Sequence, residues 1–545
     1  MERLDAGAPH RNEPIFTIAP GRDVPELRID GQPVGPVRWP ETSLSPVPLV
    51  AVESACLRRY APICGPLSST GGPRIDLTLC QSEPARANSV IRLTQGSYET
   101  FTQEICLRRP IGPTFVVAFY GDSKSDGRDL WHPQKGQTAG ARVSHRLGGG
   151  WFHWGFTDAF DRSRLLTTKR TLWDHTDATA SWSRADSAGI SIRTSLQWDA
   201  TRGAWETSRG RTERKGRSVR WSGYGEQRTP VGRIAAVVES EFARVHLRRP
   251  GEEQDLQKDA AIGAAIGFER ATTLARQRFS CGVVRLAPLQ AAPVFAAEAE
   301  IDRAGVPRLL VYASRAVRNR SLPRLPSDGE AWVRQGIGLA AERDGEPPEA
   351  LWRLGIEAGP KDAVIGWPVF GLDLLHATRS LTWEMDDLTT LGTDGQDQLA
   401  EELQRSGATF LSPWVRCQAH LPFGFRLHGS MHATAAQGGV AHHLGVAAIR
   451  GWGEVGWSRL LFRGDLLLDL ALQAEGRSRA AGPYGSIPAI GILDGEARGR
   501  IGAADIFFVM ANLMNVEANS FSYDGGFQSL PLRHYRAGLR WTFVN

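Results

Sequence analysis

The 545-residue sequence lacks any run of 18 apolar residues, although 41% of its residues are hydrophobic. Its most apolar segment, 460–472, is interrupted by Arg463, Asp465 and Asp469. A helix needs about 20 consecutive apolar residues to cross a bilayer. The sequence therefore excludes transmembrane helices, and its hydrophobic content is too high for a disordered chain.

Cysteine is scarce, with six residues at positions 56, 64, 80, 106, 281 and 417. Their spacing matches neither the CxxC pairs of metal sites nor a dense disulfide framework. The pattern favours isolated cysteines that pack as small hydrophobic side chains. A disulfide from Cys80 to Cys56 or Cys64 is the alternative, and it requires an oxidising compartment.

The N-terminus lacks the apolar core of a signal peptide. Its prolines Pro9, Pro14 and Pro20 remove backbone donors that strand pairing would use. Residues 1–20 are therefore predicted to be a disordered N-terminal segment.

What the sequence has in abundance is alternation of apolar and polar residues. The apolar face of 534–543 consists of Tyr535, Ala537, Leu539, Trp541 and Phe543, and the residues between them form a polar face. Similar alternation occurs in 190–198, 295–301, 413–421 and 423–433. Because a strand points successive side chains to opposite sides, these segments are predicted to be two-faced strands.

Two architectures accommodate such strands, a soluble sandwich and a transmembrane barrel. Segments of about nine to eleven residues match the length that crosses a bilayer at a tilt. Their polar faces carry Arg, Glu and His, as a wet lumen allows, and aromatic residues lie near strand ends. These features favour an all-β fold, a transmembrane antiparallel β-barrel of about 22 strands.

The connections are predicted to alternate between long polar loops and short turns, which is also typical of such barrels. The predicted long loops are 121–137, 200–217, 247–260, 317–330 and 385–407, and the predicted short turns include 148–150 and 302–305.

Several residues could form sites, but each is better explained as a solvated surface. Candidate metal ligands are His428, His432, His442 and His443, and candidate calcium ligands are Asp386, Asp387, Glu401 and Glu402. The basic run 208–220 is predicted to be a loop that meets lipopolysaccharide rather than a nucleic-acid site. No phosphate-binding loop or nucleophile elbow is present, so we expect no cofactor and no enzymatic activity.

The segments 28–80 and 505–543 resemble TonB-dependent outer-membrane receptors. Positions that match the second half of the plug domain of that family are Asp30, Gly31, Arg59, Gly65, Gly71 and Gly72. The last strand matches the family's assembly signal through Tyr535, Leu539, Trp541 and Phe543. The resemblance implies a partial plug domain at 21–85 and a barrel at 86–545.

The resemblance further implies a receptor that takes up a scarce ligand, such as a siderophore, cobalamin or an oligosaccharide. Its expected location is the outer membrane, and its expected partners are lipid, lipopolysaccharide, the barrel assembly machinery and TonB, with no nucleic acid. The TonB coupling segment and the first half of the plug are not visible, which implies a misplaced start or a truncated relative. We therefore expect no energised transport by residues 1–545 alone.

Two alternatives stay open. The first is a passive or degenerate outer-membrane channel, which the missing coupling segment would explain. The second is a soluble, secreted all-β protein that binds glycans through its tryptophans.

Overall fold

The computed structural model describes residues 2–4, 15–17, 26–30, 32–33, 48–58, 74–79, 87–126, 134–163, 170–186, 188–207, 210–248, 255–272, 274–286, 291–301, 307–318, 349–360, 368–377, 408–437, 447–482, 485–516, 519–521, 527–529 and 532–544. Among these residues, no helix combines the length and the apolar character needed to cross a membrane.

A closed antiparallel barrel of 22 strands forms most of the molecule. Its strands are β1 (Asn88–Gly96), β2 (Thr100–Ile111), β3 (Thr114–Ser125), β4 (Gln134–Leu147), β5 (Gly150–Ser163), β6 (Arg170–Ala185), β7 (Ile190–Thr207), β8 (Gly210–Thr229), β9 (Gly232–Arg248), β10 (Asp255–Ala271), β11 (Ala275–Leu286), β12 (Ala291–Ile301), β13 (Arg308–Arg318), β14 (Glu349–Gly359), β15 (Val369–Ala377), β16 (Ala408–His420), β17 (Phe425–Ala433, continued by Ala435–Gln437), β18 (Ile449–Leu461), β19 (Leu466–Arg477), β20 (Ile490–Ile501), β21 (Ala504–Ala511) and β22 (His534–Val544). The predicted fold class and strand number are confirmed.

Closure of the barrel depends on the pairing of the last strand with the first. The register of β22 against β1 runs from Arg536 opposite Gly96 to Val544 opposite Asn88. This pairing leaves no edge strand in the barrel, so each strand has a hydrogen-bonding partner on both sides.

The two ends of the barrel differ in the length of their connections. One end, here called the short-turn end, carries connections such as 112–113, 148–149 and 502–503. The opposite end, the long-connection end, carries 319–348, 378–407 and 512–533. This alternation agrees with the predicted arrangement, but the bounds of the predicted loops are too wide. Strands β3 and β4 extend into 121–137 and β10 into 247–260, and the predicted loop 385–407 lies outside the described residues.

The prediction of a long loop at 200–217, and of a loop over the basic run 208–220, is wrong. Residues 200–207 belong to β7 and residues 210–220 to β8, strands of 18 and 20 residues. About ten residues suffice to cross a bilayer, so these strands extend beyond it. Charged residues are compatible with a strand there because their outward side chains face water.

The outer surface of the barrel carries an apolar belt. Among its outward side chains, Leu93 is 40% exposed, Phe242 68%, Ile506 53% and Trp541 46%. Such exposure of large apolar groups suits contact with lipid rather than with water. Of the predicted last-strand face, Tyr535 and Trp541 are exposed and Leu539 and Phe543 are partly buried.

A small sheet, here called the inner sheet, precedes the barrel in the chain. Its strands, in spatial order, are Gln32–Pro33, Glu26–Ile29, Arg74–Leu79 and Val52–Arg58. A 3-10 turn at Leu49–Ala51 leads into the last of these. Glu26–Ile29 pairs in parallel with Arg74–Leu79, and the other pairings are antiparallel.

Short elements complete the described structure. Three hairpins with strands of three residues each pair Glu2–Leu4 with Ile15–Thr17, Ala480–Gly482 with Gly485–Ile487, and Asn519–Phe521 with Phe527–Ser529. Two further 3-10 turns, Pro422–Gly424 and Phe462–Gly464, lie at the short-turn end.

The register yields a test of the face assignment. Leu539 lies opposite Leu93 on one side and Ile506 on the other, in the middle of the belt. Leu539→Arg is expected to lower the free energy of unfolding by about 2–4 kcal/mol, because it places a charge in lipid. Arg540→Leu, on the lumen face, should have a much smaller effect. Denaturant unfolding in phospholipid vesicles measures both, and equal losses would contradict the assignment.

Candidate functional site in the barrel lumen

Asp30 joins the inner sheet to the barrel wall. Its backbone has a φ of +53°, which aspartate tolerates in tight turns, and its N–H donates to the carbonyl of Leu77 at 2.8 Å. Its Oδ1 accepts a hydrogen bond from the N–H of Leu79 at 2.9 Å, and its Oδ2 lies 3.6 Å from Nε of Arg142 on β4. Its carbonyl accepts a hydrogen bond from Arg193 on β7 at 2.8 Å. One turn residue therefore fixes both the sheet and its position in the lumen.

The other residues of the predicted plug motif cannot be placed beside Asp30. Gly31, Arg59, Gly65, Gly71 and Gly72 lie outside the described residues. The match of these positions to the plug motif therefore stays a prediction.

A second polar contact holds the 3-10 turn against β1 and β2. Glu104 on β2 is buried and accepts a hydrogen bond from the N–H of Leu49 at 3.2 Å and from Arg92 at 3.4 Å. Arg108, four residues farther along β2 on the same face, donates to the carbonyl of Val50 at 3.3 Å. Charged side chains of the wall thus bind backbone groups of the 3-10 turn. A side-chain substitution in the turn would leave these backbone groups in place.

An apolar patch on the lumen face of β1–β3 packs against the inner sheet. The cluster consists of Val90, Cys106, Phe115, Val117 and Phe119 from the wall, with Val50 and Ala51 from the 3-10 turn and Leu79 from the inner sheet. Burial of such groups is the main stabilising contribution available to this contact. Phe119 packs against Gly140 of β4, where an added Cβ would overlap its ring.

Sequence reasoning did not identify this patch, although a signal was present. Residues 115–120 read Phe-Val-Val-Ala-Phe-Tyr, which is apolar on both faces. A strand that is apolar on both faces is buried on both. In a barrel whose other strands alternate between apolar and polar residues, a run that is apolar on both faces indicates the part of the wall against which other segments of the chain pack.

Polar side chains are buried along β5–β9. Those facing the lumen and buried include Asp161, His175, Asp177, Asp199, Arg220, Glu239 and Glu241. His175 lies 3.4 Å from Asp199, with side chains 3% and 2% exposed, and Arg220 pairs with Glu241. Burial of a charged side chain is unfavourable unless a partner compensates the charge, and these two pairs meet that requirement. The lumen face of β5–β9 is therefore shielded from water at these positions.

The lumen face of β17–β20 is more open. Arg426 on β17 donates to Glu454 at 2.9 Å and to Asp469 at 3.0 Å, and Gln473 donates to Glu454 at 3.1 Å. The side chains of Arg426 and Asp469 are 22% and 32% exposed. Water therefore reaches this sector, in contrast to β5–β9.

A chain of ion pairs lines the lumen near the short-turn end from β8 to β16. It comprises Glu226–Arg233 at 2.7 Å, Arg233–Glu269 at 3.7 Å, Glu269–Arg278 at 3.5 Å, Arg278–Glu298 at 2.8 Å, Arg308–Glu300 at 2.7 Å, Arg308–Glu357 at 3.3 Å and Arg416–Glu357 at 3.6 Å. Carboxylates and guanidinium groups alternate from strand to strand, which favours cross-strand pairing.

The candidate metal ligands are not brought together in the described part of the chain. His428 faces the lumen with its ring 6.2 Å from that of His420, and His432 stacks on Trp414 at 6.2 Å. The described residues contain no group of three or more His, Cys, Asp or Glu that could hold a metal ion. His442, His443, Asp386, Asp387, Glu401 and Glu402 lie outside the described residues.

Structural comparison relates the chain to outer-membrane receptors and transporters. The ferric citrate transporter FecA superposes with a TM-score of 0.72 and 12% identity, covering 100% of this chain and 90% of that one. The iron transporter FrpB from Neisseria meningitidis gives 0.73 and 8%, with 95% and 91% covered. The siderophore receptor PirA from Pseudomonas aeruginosa gives 0.69 and 12%, with 96% and 92% covered.

The chain has the fold of the TonB-dependent outer-membrane receptors. The resemblance seen in 28–80 and 505–543 is thus confirmed for the fold. No protein-family model and no curated protein matches the sequence. The receptor fold is therefore recognised through strand pairing rather than through residue identity.

The contact between Glu104 and Leu49 can be tested separately from the barrel. In Glu104→Leu the Leu49 N–H and Arg92 lose their acceptor, so amides of 48–58 should exchange with deuterium about tenfold faster. The control is Gln103→Leu, the adjacent residue on the opposite face of β2. Hydrogen exchange measured by mass spectrometry reports both. Unchanged exchange in Glu104→Leu would show that the inner sheet is held by other contacts.

Proposed function

We propose that this protein is an outer-membrane receptor that takes up a scarce ligand through its barrel. The observation that supports this is an inner sheet held by buried ionic and apolar contacts inside a closed barrel. A barrel that only provided mechanical support would need no such filling. The long-connection end would face outward and meet the ligand, as in the receptor fold generally.

An iron chelate is the ligand class that the comparisons favour, since the similar structures are named as siderophore receptors and iron transporters. Cobalamin and oligosaccharides have no such support. The proposed division of the chain is 1–20 as an N-terminal segment, 21–85 as a partial plug that contains the inner sheet, and 86–545 as the barrel. TonB would supply the energy, and no bond of the ligand would be made or broken.

A passive channel is the second candidate, and a specific observation favours it. The side chains of Arg426 and Asp469 in β17–β20 are partly exposed, while the pairs His175–Asp199 and Arg220–Glu241 in β5–β9 are buried. A plug that covers one side of the lumen leaves a polar route along the other. The soluble glycan-binding alternative has less support, because the apolar belt would then face water.

Uptake by cells distinguishes these candidates. The chain, fused to a signal peptide, is expressed in a Gram-negative host that lacks its own iron receptors. We expect uptake of radioactive iron from at least one of ferric citrate, a catecholate chelate and a hydroxamate chelate, saturating with concentration and abolished by a protonophore. Abolition by the protonophore would overturn the expectation from the sequence that residues 1–545 alone carry out no energised transport.

Other outcomes would contradict the receptor proposal. Uptake that rises linearly with concentration and is insensitive to the protonophore, together with steady conductance in planar bilayers, would identify a passive channel. Recovery in the soluble fraction, with no change in gel mobility on boiling, would contradict any outer-membrane role.

A further inference from the structure

Trp452 on β18 is a large aromatic side chain on a mostly polar part of the lumen wall. It lies two residues before the lumen-facing Glu454, so it faces the lumen as well, and it is 37% exposed. The other exposed tryptophans among the described residues face outward: Trp154, Trp198, Trp221, Trp352 and Trp541. An aromatic ring that is open to a wet lumen is suited to pack against an apolar group of a ligand.

Two arginines lie beside Trp452, toward the long-connection end. Arg450 precedes Trp452 by two residues on β18 and lies directly opposite Arg477 on β19. Both side chains face the lumen and are partly buried. Guanidinium groups opposite one another repel, and a carboxylate between them relieves this repulsion by accepting hydrogen bonds from both. The pair is therefore suited to hold the carboxylate of a ligand.

Glu475 places a negative charge next to the same ring. It lies opposite Trp452 and two residues from Arg477 on β19. The nearby carboxylate of Glu454 accepts a hydrogen bond from Arg426 at 2.9 Å and so belongs to a deeper ion pair. A carboxylate in the position of Glu475 is suited to accept hydrogen bonds from an ammonium group of a ligand.

The spacing of these groups sets the size of the ligand. Trp452, Arg450, Arg477 and Glu475 are here called the tryptophan site. Residues two apart on a strand are about 7 Å apart, and paired strands are about 5 Å apart. The arginine pair and Glu475 are therefore one step of about 7 Å apart, with the ring alongside. An extended dipeptide spans about 7 Å, whereas a free amino acid is too short.

The tryptophan site lies at the entrance to the more open sector of β17–β20. Arg450 is the second residue of β18, at the long-connection end. Farther into the lumen, the side chains of Arg426 and Asp469 are 22% and 32% exposed. A small solute that enters from the long-connection end therefore meets Trp452 before it meets these deeper ion pairs.

We infer that the tryptophan site binds a dipeptide with free termini. Arg450 and Arg477 hold its carboxylate, Glu475 binds its ammonium group, and the ring packs against an apolar side chain of the peptide. A simple anion would use only the arginines, a simple cation only Glu475, and a neutral sugar would leave both kinds of charge unmatched. The inference rests on the proposed function only for the direction of passage, with the long-connection end outside.

Titration calorimetry on the full-length protein in detergent tests the inference. The probe is the dipeptide Ala-Leu, compared with acetyl-Ala-Leu, which lacks the ammonium group, and Ala-Leu amide, which lacks the carboxylate. Each blocked peptide is expected to bind about tenfold more weakly than Ala-Leu. Trp452→Ala should weaken the binding of Ala-Leu about tenfold. Its control, Trp457→Ala, removes a tryptophan from the outward face of the same strand and should bind as the unaltered protein does.

Two charge variants identify which group binds which end of the peptide. Arg450→Gln/Arg477→Gln should weaken the binding of Ala-Leu about tenfold and leave Ala-Leu amide unchanged, because the amide has no carboxylate. Glu475→Gln should weaken the binding of Ala-Leu and leave acetyl-Ala-Leu unchanged, because the acetyl group replaces the ammonium.

Several outcomes would overturn the inference. They are equal binding of the free and blocked peptides, equal weakening by Trp457→Ala, loss of every peptide alike in the charge variants, and tighter binding of maltose than of Ala-Leu. A protein that takes up iron but does not bind Ala-Leu would overturn this inference and leave the proposed function standing. A protein that binds Ala-Leu but takes up no iron would do the reverse.

Discussion

Hydrogen bonding of the backbone in a medium without water is the constraint on which the rest of the structure depends. Each strand must find a partner on both sides, and a sheet can meet this demand only by closing on itself. The pairing of β22 with β1 completes the ring. Once the ring is closed, each strand must present lipid-compatible side chains outward and polar ones inward, which is the alternation visible in the sequence.

Closure also creates a lumen, and its two sides are built differently. Along β1–β9 the wall offers an apolar patch and buried charges, which contact the inner sheet through Asp30 and through Glu104. Along β17–β20 the same kind of polar side chain remains accessible to water. A single barrel thus combines a docking surface for the inner sheet with a sector that water reaches.

The outer surface follows the same logic of environment. Where β7–β9 lie in lipid, their outward side chains are Trp198, Val219 and Phe242. Two residues farther along, the outward side chains become Arg217 and Arg244. The strands do not end at the membrane, because paired backbone is satisfied in water as well as in lipid. What changes at the boundary is the character of the outward side chains, from apolar to basic.

The sequence by itself indicated the two-faced strands, because a period of two is a local property. The approximate strand number followed from the chain length, and the likeness to the receptor fold from the motifs in 28–80 and 505–543. The sequence also indicated the outward face of the last strand through Tyr535 and Trp541. The prediction of a loop at 200–217 was wrong, because a strand that extends beyond the membrane carries polar residues on both faces and so has the composition of a loop. Only the tertiary structure decided which wall residues meet Asp30, that Glu104 binds the backbone of Leu49, and which cations stand opposite one another. These depend on register between strands far apart in the chain, and no local pattern encodes register.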